Sequence, residues 1–318
     1  AGEFYTPRSV VNLLVRILDP QPGETVYDPA CGSGGMLIEA IQHMNHSSLC
    51  CGTIFGQEKN VVNSAIAKMN LFLHGASDFN IMQGDTLRSP KILQNGEIAK
   101  FDCVIANPPF SLEKWGSVEW ASDKYGRNIW GTPSDSCGDY AWIQHMVKSM
   151  APGNGRMAVV MPQGVLFRGN EEGRIREKLV KSDLVEAIVT LGDKLFYGTG
   201  LSPCFMILRR LKPAAHSARV LMIDGTKILT AKRAQNILSP EDVDRLYELY
   251  CKYEDIEDFS KVVTIDDIAA KGYDLSPNKY VNYHKEEIRP YAEVLAEFKA
   301  AYEEVLKREV EFEKLINA

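Results

Sequence analysis

The chain has 318 residues, 45% hydrophobic and 25% charged, with a formal net charge of −6. That balance fits a globular protein able to bury a sizeable core without disulfides, and it excludes a disordered or low-complexity chain. No run of 18 apolar residues occurs, so a helical membrane span is excluded, and the opening Ala-Gly-Glu-Phe-Tyr lacks the basic and apolar regions of a signal peptide.

From residue 23 to about 210, short β-rich runs alternate with longer amphipathic stretches. Strands are expected at 25–28, 53–57, 80–83, 101–106 and 156–161, with helices at 34–46, 61–74 and 140–150. Such alternation implies right-handed βαβ units, hence an α/β fold with a doubly wound, mostly parallel sheet. Residues 184–191 and 202–208 are joined by a glycine-containing connector too short for a crossover helix. They are expected as an antiparallel hairpin at the sheet edge, which brings the sheet to seven strands. Residues 220–224 read as a further strand, and Ser239-Pro240-Glu241-Asp242 carries the cap, proline and acids that open a helix. Tyr273-Asp274-Leu275-Ser276-Pro277-Asn278 reads as a turn-rich loop. In the last thirty residues, Ile288, Tyr291, Leu295, Phe298, Tyr302, Val305, Phe312 and Ile316 recur at 3–4 spacing, which predicts a long C-terminal helix with a coiled-coil-like seam. From Glu286 onward nine acids face five bases, leaving a net charge of only −2 on residues 1–285.

The seven cysteines include no Cys-x-x-Cys pair, and dispersed thiols suit a reducing, cytoplasmic setting. His43 and His46 share a helix face without a carboxylate partner, so no metal site is expected.

Two segments carry chemistry. The first is Asp28-Pro29-Ala30-Cys31-Gly32-Ser33-Gly34-Gly35, between the first strand and first helix, where glycines let backbone approach a ligand and aim a helix N-terminus at it. Asp28 places a carboxylate where a phosphate site would want none, and Glu58, ending the second strand, sits where ribose hydroxyls are held in such folds. An acid beside the glycines favours a cationic ligand with a ribose diol. S-adenosylmethionine fits; a dinucleotide fits less well, because its pyrophosphate would meet Asp28. Asp85 and Thr86, after the third strand, stand where an adenine amino group could be bonded, although a polar loop-end acid is an equal reading.

The second segment is Asn107-Pro108-Pro109-Phe110, after the apolar run 101–106. Two prolines stiffen this loop and remove two N–H donors, leaving carbonyls and the Asn107 side-chain oxygen as acceptors. Such a site receives the N–H bonds of an amine whose lone pair is delocalised into an aromatic ring. Held by two acceptors, the nitrogen becomes more pyramidal and its lone pair is aimed at an electrophile, so positioning does the work of a strong base. Phe110 offers a face for stacking a base flipped out of a duplex. The aromatic stretch 115–130 reads as a mobile segment closing over that base, or as a surface loop with partly buried tryptophans.

In this order, the glycine loop, acid, Gly84-Asp85 and Asn-Pro-Pro-Phe resemble the γ-class amino-methyltransferases of DNA, and the wider pattern resembles the modification subunit of type I restriction-modification systems. That pattern includes Glu3-Phe4-Tyr5-Thr6-Pro7-Arg8, residues 155–162, Phe196-Tyr197-Gly198-Thr199-Gly200 and Tyr273-Asp274-Leu275-Ser276-Pro277. The resemblance implies a Rossmann-like methyltransferase domain over 1–235, an accessory segment over 236–285 and a C-terminal partner helix over 286–318. It implies S-adenosylmethionine contacts from Glu3, Phe4, Tyr5, Thr6, Pro7 and Arg8, and from Asp28, Ala30, Gly32, Ser33, Gly34, Gly35, Glu58, Asp85 and Thr86. It further implies that Asn107, Pro108, Pro109 and Phe110 handle a DNA adenine for N6 methylation. Implied partners are DNA, a specificity subunit that reads the sequence, and a restriction subunit. An acidic chain suits this division of labour, since a protein that grips many phosphates alone is usually basic. In that family a helical domain precedes the Glu-Phe-Tyr-Thr-Pro-Arg motif, which here begins at residue 3, so a chain lacking that domain is expected. Two alternatives stay open: methylation of a protein glutamine amide or an RNA base, and a cofactor-binding assembly subunit without turnover.

Overall fold

The computed structural model describes residues 6–45, 52–196, 200–232, 235–284 and 290–316, and the chain divides into two compact units, Ala1–Asn282 and Tyr283–Ala318. In the first unit the order is α1 (Arg8–Leu18), β1 (Thr25–Asp28), α2 (Gly35–Asn45), β2 (Thr53–Glu58), α3 (Val61–Leu73) and β3 (Phe79–Gln83). A small hairpin follows, β4 (Leu93–Gln94) and β5 (Glu97–Ile98), then β6 (Cys103–Ala106), α4 (Ser117–Ala121), α5 (Asp139–Ser149), β7 (Arg156–Pro162) and α6 (Asn170–Lys181). The unit closes with β8 (Val185–Leu191), β9 (Pro203–Arg209), β10 (Arg219–Gly225), α7 (Pro240–Lys252), β11 (Ser260–Thr264) and α8 (Ile265–Ala270).

The main sheet has the order β11-β10-β8-β9-β7-β6-β1-β2-β3. The seven strands expected from sequence are its contiguous block from β3 to β8; β10, expected as a further strand at 220–224, and β11, which was not expected, extend it to nine. The β8–β9 pair is antiparallel as expected, but it does not lie at the edge: β9 inserts between β7 and β8 and runs antiparallel to both. The edge beyond β8 is taken by β10, parallel to it, and then by antiparallel β11. Burial on both faces explains why the central strands β6, β7 and β9 are mainly apolar, whereas edge strand β3 is largely exposed and carries Asn80 and Gln83. In β7, Ala158 and Val160 enter one core layer with Leu14 and Ile41, while Met157, Val159 and Met161 enter the other with Tyr140 and Ile143. Each large apolar side chain so buried contributes about 1.5–3 kcal/mol.

Helix α1 begins at the last residue of the Glu3–Arg8 motif, and no element was expected over the rest of it. Pro7 precedes it with φ −56°, and Val10, Leu13, Leu14, Ile17 and Leu18 bury its inner face. Arg156, at the start of β7, locks the helix end: it donates to the carbonyls of Leu18 (2.5 Å) and Asp19 (2.7 Å) and forks onto Glu24 at 3.0 and 2.7 Å. The α7 start follows the sequence signal. The Ser239 hydroxyl accepts the Asp242 N–H at 3.2 Å while the Asp242 carboxylate accepts the Ser239 N–H at 2.8 Å, a capping box.

The second unit contains α9 (Tyr291–Ile316), a 26-residue helix with Tyr291, Val294, Phe298, Tyr302, Val305 and Phe312 exposed. The seam residue Ile288 lies outside the described residues. Among the described residues, no helix is long and apolar enough to cross a membrane.

Candidate active site

Two clefts open at the C-terminal ends of β1, β2, β3 and β6, where doubly wound sheets bind ligands. One has a volume of about 470 Å³ and the other about 400 Å³. They share Ala30, Gly32, Asn63 and Asn107 as common walls.

The glycine loop divides them. Gly32 and Gly34 adopt φ of +53° and +85°, left-handed backbone that side-chain-bearing residues rarely take. The loop is tied to its neighbours by Cys31 N–H to Gln57 O (3.1 Å) and by Gly32 N–H to Glu58 Oε2 (2.9 Å). The second Glu58 oxygen accepts the Asn60 N–H at 2.7 Å, so this acid shapes the loop as well as facing the second cleft.

Asp28 ends β1 and lines the first cleft at 2% exposure. Burial, opposed by the Ala30 N–H bond (2.9 Å) and assisted by the Glu58 charge, pushes its carboxyl up to about 8. A carboxyl so placed ionises when a cation arrives beside it. Thr6 and Arg8 line the same cleft, so that it carries a positive group as well as the acid.

The third strand end behaves differently. Asp85 lines the second cleft in an ion pair with Lys59 at 2.9 Å. Thr86 is buried, and its hydroxyl donates to the Pro29 carbonyl at 2.6 Å, binding this loop to the glycine loop.

Asn107 follows β6 at the junction of the clefts. Its Nδ2 donates to Thr6 Oγ1 at 2.9 Å, while its Oδ1 is buried without a hydrogen-bond partner. A buried acceptor left unpaired costs about 1–3 kcal/mol, which a ligand donor would recover. Pro108 and Pro109 line the second cleft and contribute no N–H.

The remaining expected residues are placed as follows. Ala30, Gly32, Ser33 and Gly35 line the first cleft, while Gly34 lines neither. Pro7 caps α1 rather than facing a cleft. Phe110 also lines neither cleft; its ring packs against the core and lies 6.4 Å from that of Phe196. Glu3, Phe4 and Tyr5 lie outside the described residues, as do Tyr197, Gly198 and Thr199.

Residues 115–130 are packed rather than free. Trp115 and Trp120 are each 2% exposed and meet edge to face at 5.5 Å. Buried Arg127 pairs with Asp123 at 2.6 Å, stacks 4.6 Å from the Trp120 ring, and donates to the carbonyls of Thr86 (2.9 Å) and Leu87 (2.8 Å). It therefore holds the Asp85–Thr86 loop in place. Sequence reading missed this role, although Asp and Arg at i, i+4 beside two tryptophans was the available signal. Arg127→Ala is expected to cost about 3–5 kcal/mol of stability, because Asp123 is left buried and unpaired; the denaturant midpoint at constant m-value measures it. Trp142 of α5 and Asn63 of α3, which also line the second cleft, were not anticipated either.

The profile of the N-6 DNA Methylase family matches residues 1–288. The methylase subunit of the type I restriction enzyme MjaVII from Methanocaldococcus jannaschii is 36% identical over 88% of this chain and 49% of its own length. That of HindI from Haemophilus influenzae is 31% identical over 98% of this chain and 71% of its own. In solved structures, the methyltransferase subunit of a type I restriction-modification system from Streptococcus thermophilus superimposes with a TM-score of 0.81 at 30% identity, covering 89% of this chain and 60% of that one. The chain spans about half the length of several relatives it matches. By profile, sequence and fold alike, the chain belongs to the N-6 DNA methylase family, alongside the methylase subunits of type I restriction enzymes.

Proposed function

We propose that this chain transfers a methyl group from S-adenosylmethionine to the exocyclic N6 amine of a DNA adenine, as the modification subunit of a type I restriction-modification complex. The observation that carries the reading is the Asn107 carboxamide. It presents a buried, unpartnered oxygen at the wall shared by both clefts, beside two prolines that offer no competing donor.

The residues of the first cleft suit a zwitterionic amino-acid group, with Asp28 toward an ammonium and Arg8 toward a carboxylate. Glu58 and Asp85 of the second cleft suit a ribose diol and an adenine amine. When bound, S-adenosylmethionine supplies an electrophilic methyl on a sulfonium. Asn107 Oδ1 and the Pro108 carbonyl then accept the two N–H bonds of the target amine and orient its lone pair. Phe110, beside this loop, is the candidate stacking surface for the flipped base.

Sequence-specific DNA contact falls to a specificity subunit, because a chain of net charge −6 is poorly suited to gripping phosphates alone. A restriction subunit and a cytoplasmic setting complete the reading. The exposed apolar stripe of α9 is the proposed docking site for the specificity subunit. Deleting residues 286–318 is expected to abolish co-purification with that subunit; retained binding would end this part of the reading.

Calorimetry with S-adenosylmethionine tests the cofactor assignment. Binding in the micromolar range, with about 8 kcal/mol of free energy, is expected for the wild type. Saturating heats that instead follow a dinucleotide would contradict it.

A further inference from the structure

We propose that Thr6 is a positioning residue for Asn107: it fixes which end of the carboxamide faces the reacting amine. This inference deepens the methyltransferase reading and rests on it. The sequence pattern gives Thr6 only as one member of a cofactor-binding hexapeptide, whereas the structure gives its hydroxyl a second task.

A carboxamide is nearly symmetric in shape and opposite in chemistry at its two ends, since the oxygen accepts and the NH2 donates. Rotation of half a turn about its last bond would put the NH2 where an acceptor is needed. It would then meet the N–H bonds of the target amine donor to donor. Nothing within Asn107 itself prevents this, because terminal torsions of this type are broad and two-fold.

Thr6 breaks the symmetry. Its Oγ1 accepts the Asn107 Nδ2 proton at 2.9 Å across 101 residues of sequence, which leaves Oδ1 as the end without a protein partner. The hydroxyl is itself held in place. Thr6 immediately precedes Pro7 and α1, whose inner face is buried in the core and whose far end is locked by Arg156. Asn107 is fixed from the other side by β6, paired with β1 and β7. The hydrogen bond thus joins two rigid elements, and both residues also line the first cleft. A cofactor contact alone would not need a partner on the catalytic loop. Thr6 is therefore placed to couple the wall of the cofactor cleft to the orientation of the amide that receives the substrate.

Thr6→Val keeps the shape and removes the acceptor; Thr6→Ser keeps the hydroxyl. Two measurements test the proposal together. In the first, turnover is followed as labelled methyl transferred to adenine-containing DNA with the specificity subunit present, beside S-adenosylmethionine affinity by calorimetry. At saturating cofactor, where any change in affinity no longer matters, T6V is expected to lower turnover by about ten- to a hundredfold, the cost typical of misplacing a reacting group, and T6S is expected to recover most of the loss. If T6V weakens cofactor binding while turnover at saturation stays at the wild-type level, Thr6 is a cofactor contact only and the proposal is overturned. The second measurement needs no turnover. With 15N-labelled asparagine, the Asn107 side-chain NH2 resonances, assigned by their loss in Asn107→Ala, should show slowed hydrogen exchange in the wild type and in T6S, and fast exchange in T6V. Equal exchange in all three overturns the proposal. Absence of methyl transfer by the wild type would instead count against the methyltransferase reading, with the exchange data still deciding whether Thr6 holds the amide.

Discussion

Asn107→Ala is expected to abolish measurable methyl transfer, a loss of about 10²–10³-fold or more, while S-adenosylmethionine affinity stays close to that of the wild type. The size follows from removing one preorganised polar group that acts on the reacting atom, which costs about 3–4 kcal/mol in comparable sites. The side chain makes one hydrogen bond to the protein, from Nδ2 to Thr6 Oγ1 at 2.9 Å, and keeps its other polar atom unpartnered. Alanine removes both at once. Fold disruption is not expected, because Pro108 and Pro109 still set the loop backbone, and β6 is held between β1 and β7 by backbone pairing. Single-turnover rates on adenine-containing DNA at saturating cofactor, measured with the specificity subunit present, give the effect, with calorimetry on the same preparation as the control. A variant that binds cofactor normally and still methylates would remove Asn107 from the chemistry. Failure of the wild type itself to turn over, with cofactor bound and the specificity subunit present, would instead favour the reading in which the chain is an assembly subunit.

The second large effect concerns Asp28. Its carboxyl is raised to about 8 by burial, with the Glu58 charge contributing in the same direction. Below that value the free protein holds Asp28 mostly protonated, so binding a cation beside it requires a proton to leave. Cofactor affinity should therefore rise about tenfold per pH unit between about pH 6 and 7.5, with close to one proton released per molecule bound near neutrality. Calorimetry in two buffers of different ionisation enthalpy measures that proton. Asp28→Asn should flatten the profile over this window and lower affinity near pH 7.5 by at least about tenfold, since the variant cannot become an anion. The stability linkage has the opposite sense. A carboxyl whose folded pKa is raised favours the folded state fully below its ordinary value of 3.8, and loses that contribution as pH rises through about 8. In the free protein, Asp28→Asn should accordingly be more stable than the wild type at pH 8, as read by denaturant midpoint. A stabilised variant that has lost its ligand is what a group placed for binding rather than for folding predicts.

The local backbone of the glycine and Asn-Pro-Pro loops was more legible in the sequence than the outer parts of the fold. The glycine loop announced itself because Gly32 and Gly34 must adopt left-handed backbone, and the Asn-Pro-Pro loop because two consecutive prolines after an apolar strand admit few structural roles. The central β-rich runs, those of β6, β7 and β9, were readable for a related reason: strands buried on both faces are mainly apolar. The rest depended on partners far away in sequence. Helix α6 was missed because its buried face is narrow, with Ile175, Leu179 and Val180 set among charges, and because Arg176 is buried there by donating to the Tyr273 and Arg168 carbonyls at 2.7 Å each. The hairpin was placed at the edge because local spacing fixes that β8 and β9 pair but not which strands flank them. Their flanks are set by β10 lying parallel to β8 and by β7 lying beside β9. The stretch 115–130 read either as mobile, from its length, or as a surface loop with partly buried tryptophans; Arg127 draws it onto the Thr86 and Leu87 carbonyls, 41 and 40 residues upstream, and its first two tryptophans are buried. Glu58 shows a subtler limit. Position marked it as a ligand acid, and only the structure shows that both its oxygens also hold backbone amides, of Gly32 and Asn60.

The central claim is that the amine methylated by this chain is N6 of adenine in DNA. Incubating the protein, in complex with its specificity subunit, with labelled S-adenosylmethionine and a mixture of DNA, RNA and protein substrates, then digesting each to nucleosides or amino acids, reads the product directly. The account predicts label in N6-methyladenine from the DNA and none above background elsewhere, with the signal lost in Asn107→Ala. Label in a methylated glutamine or an RNA base would contradict it, and would assign the same pair of acceptors to a different amine.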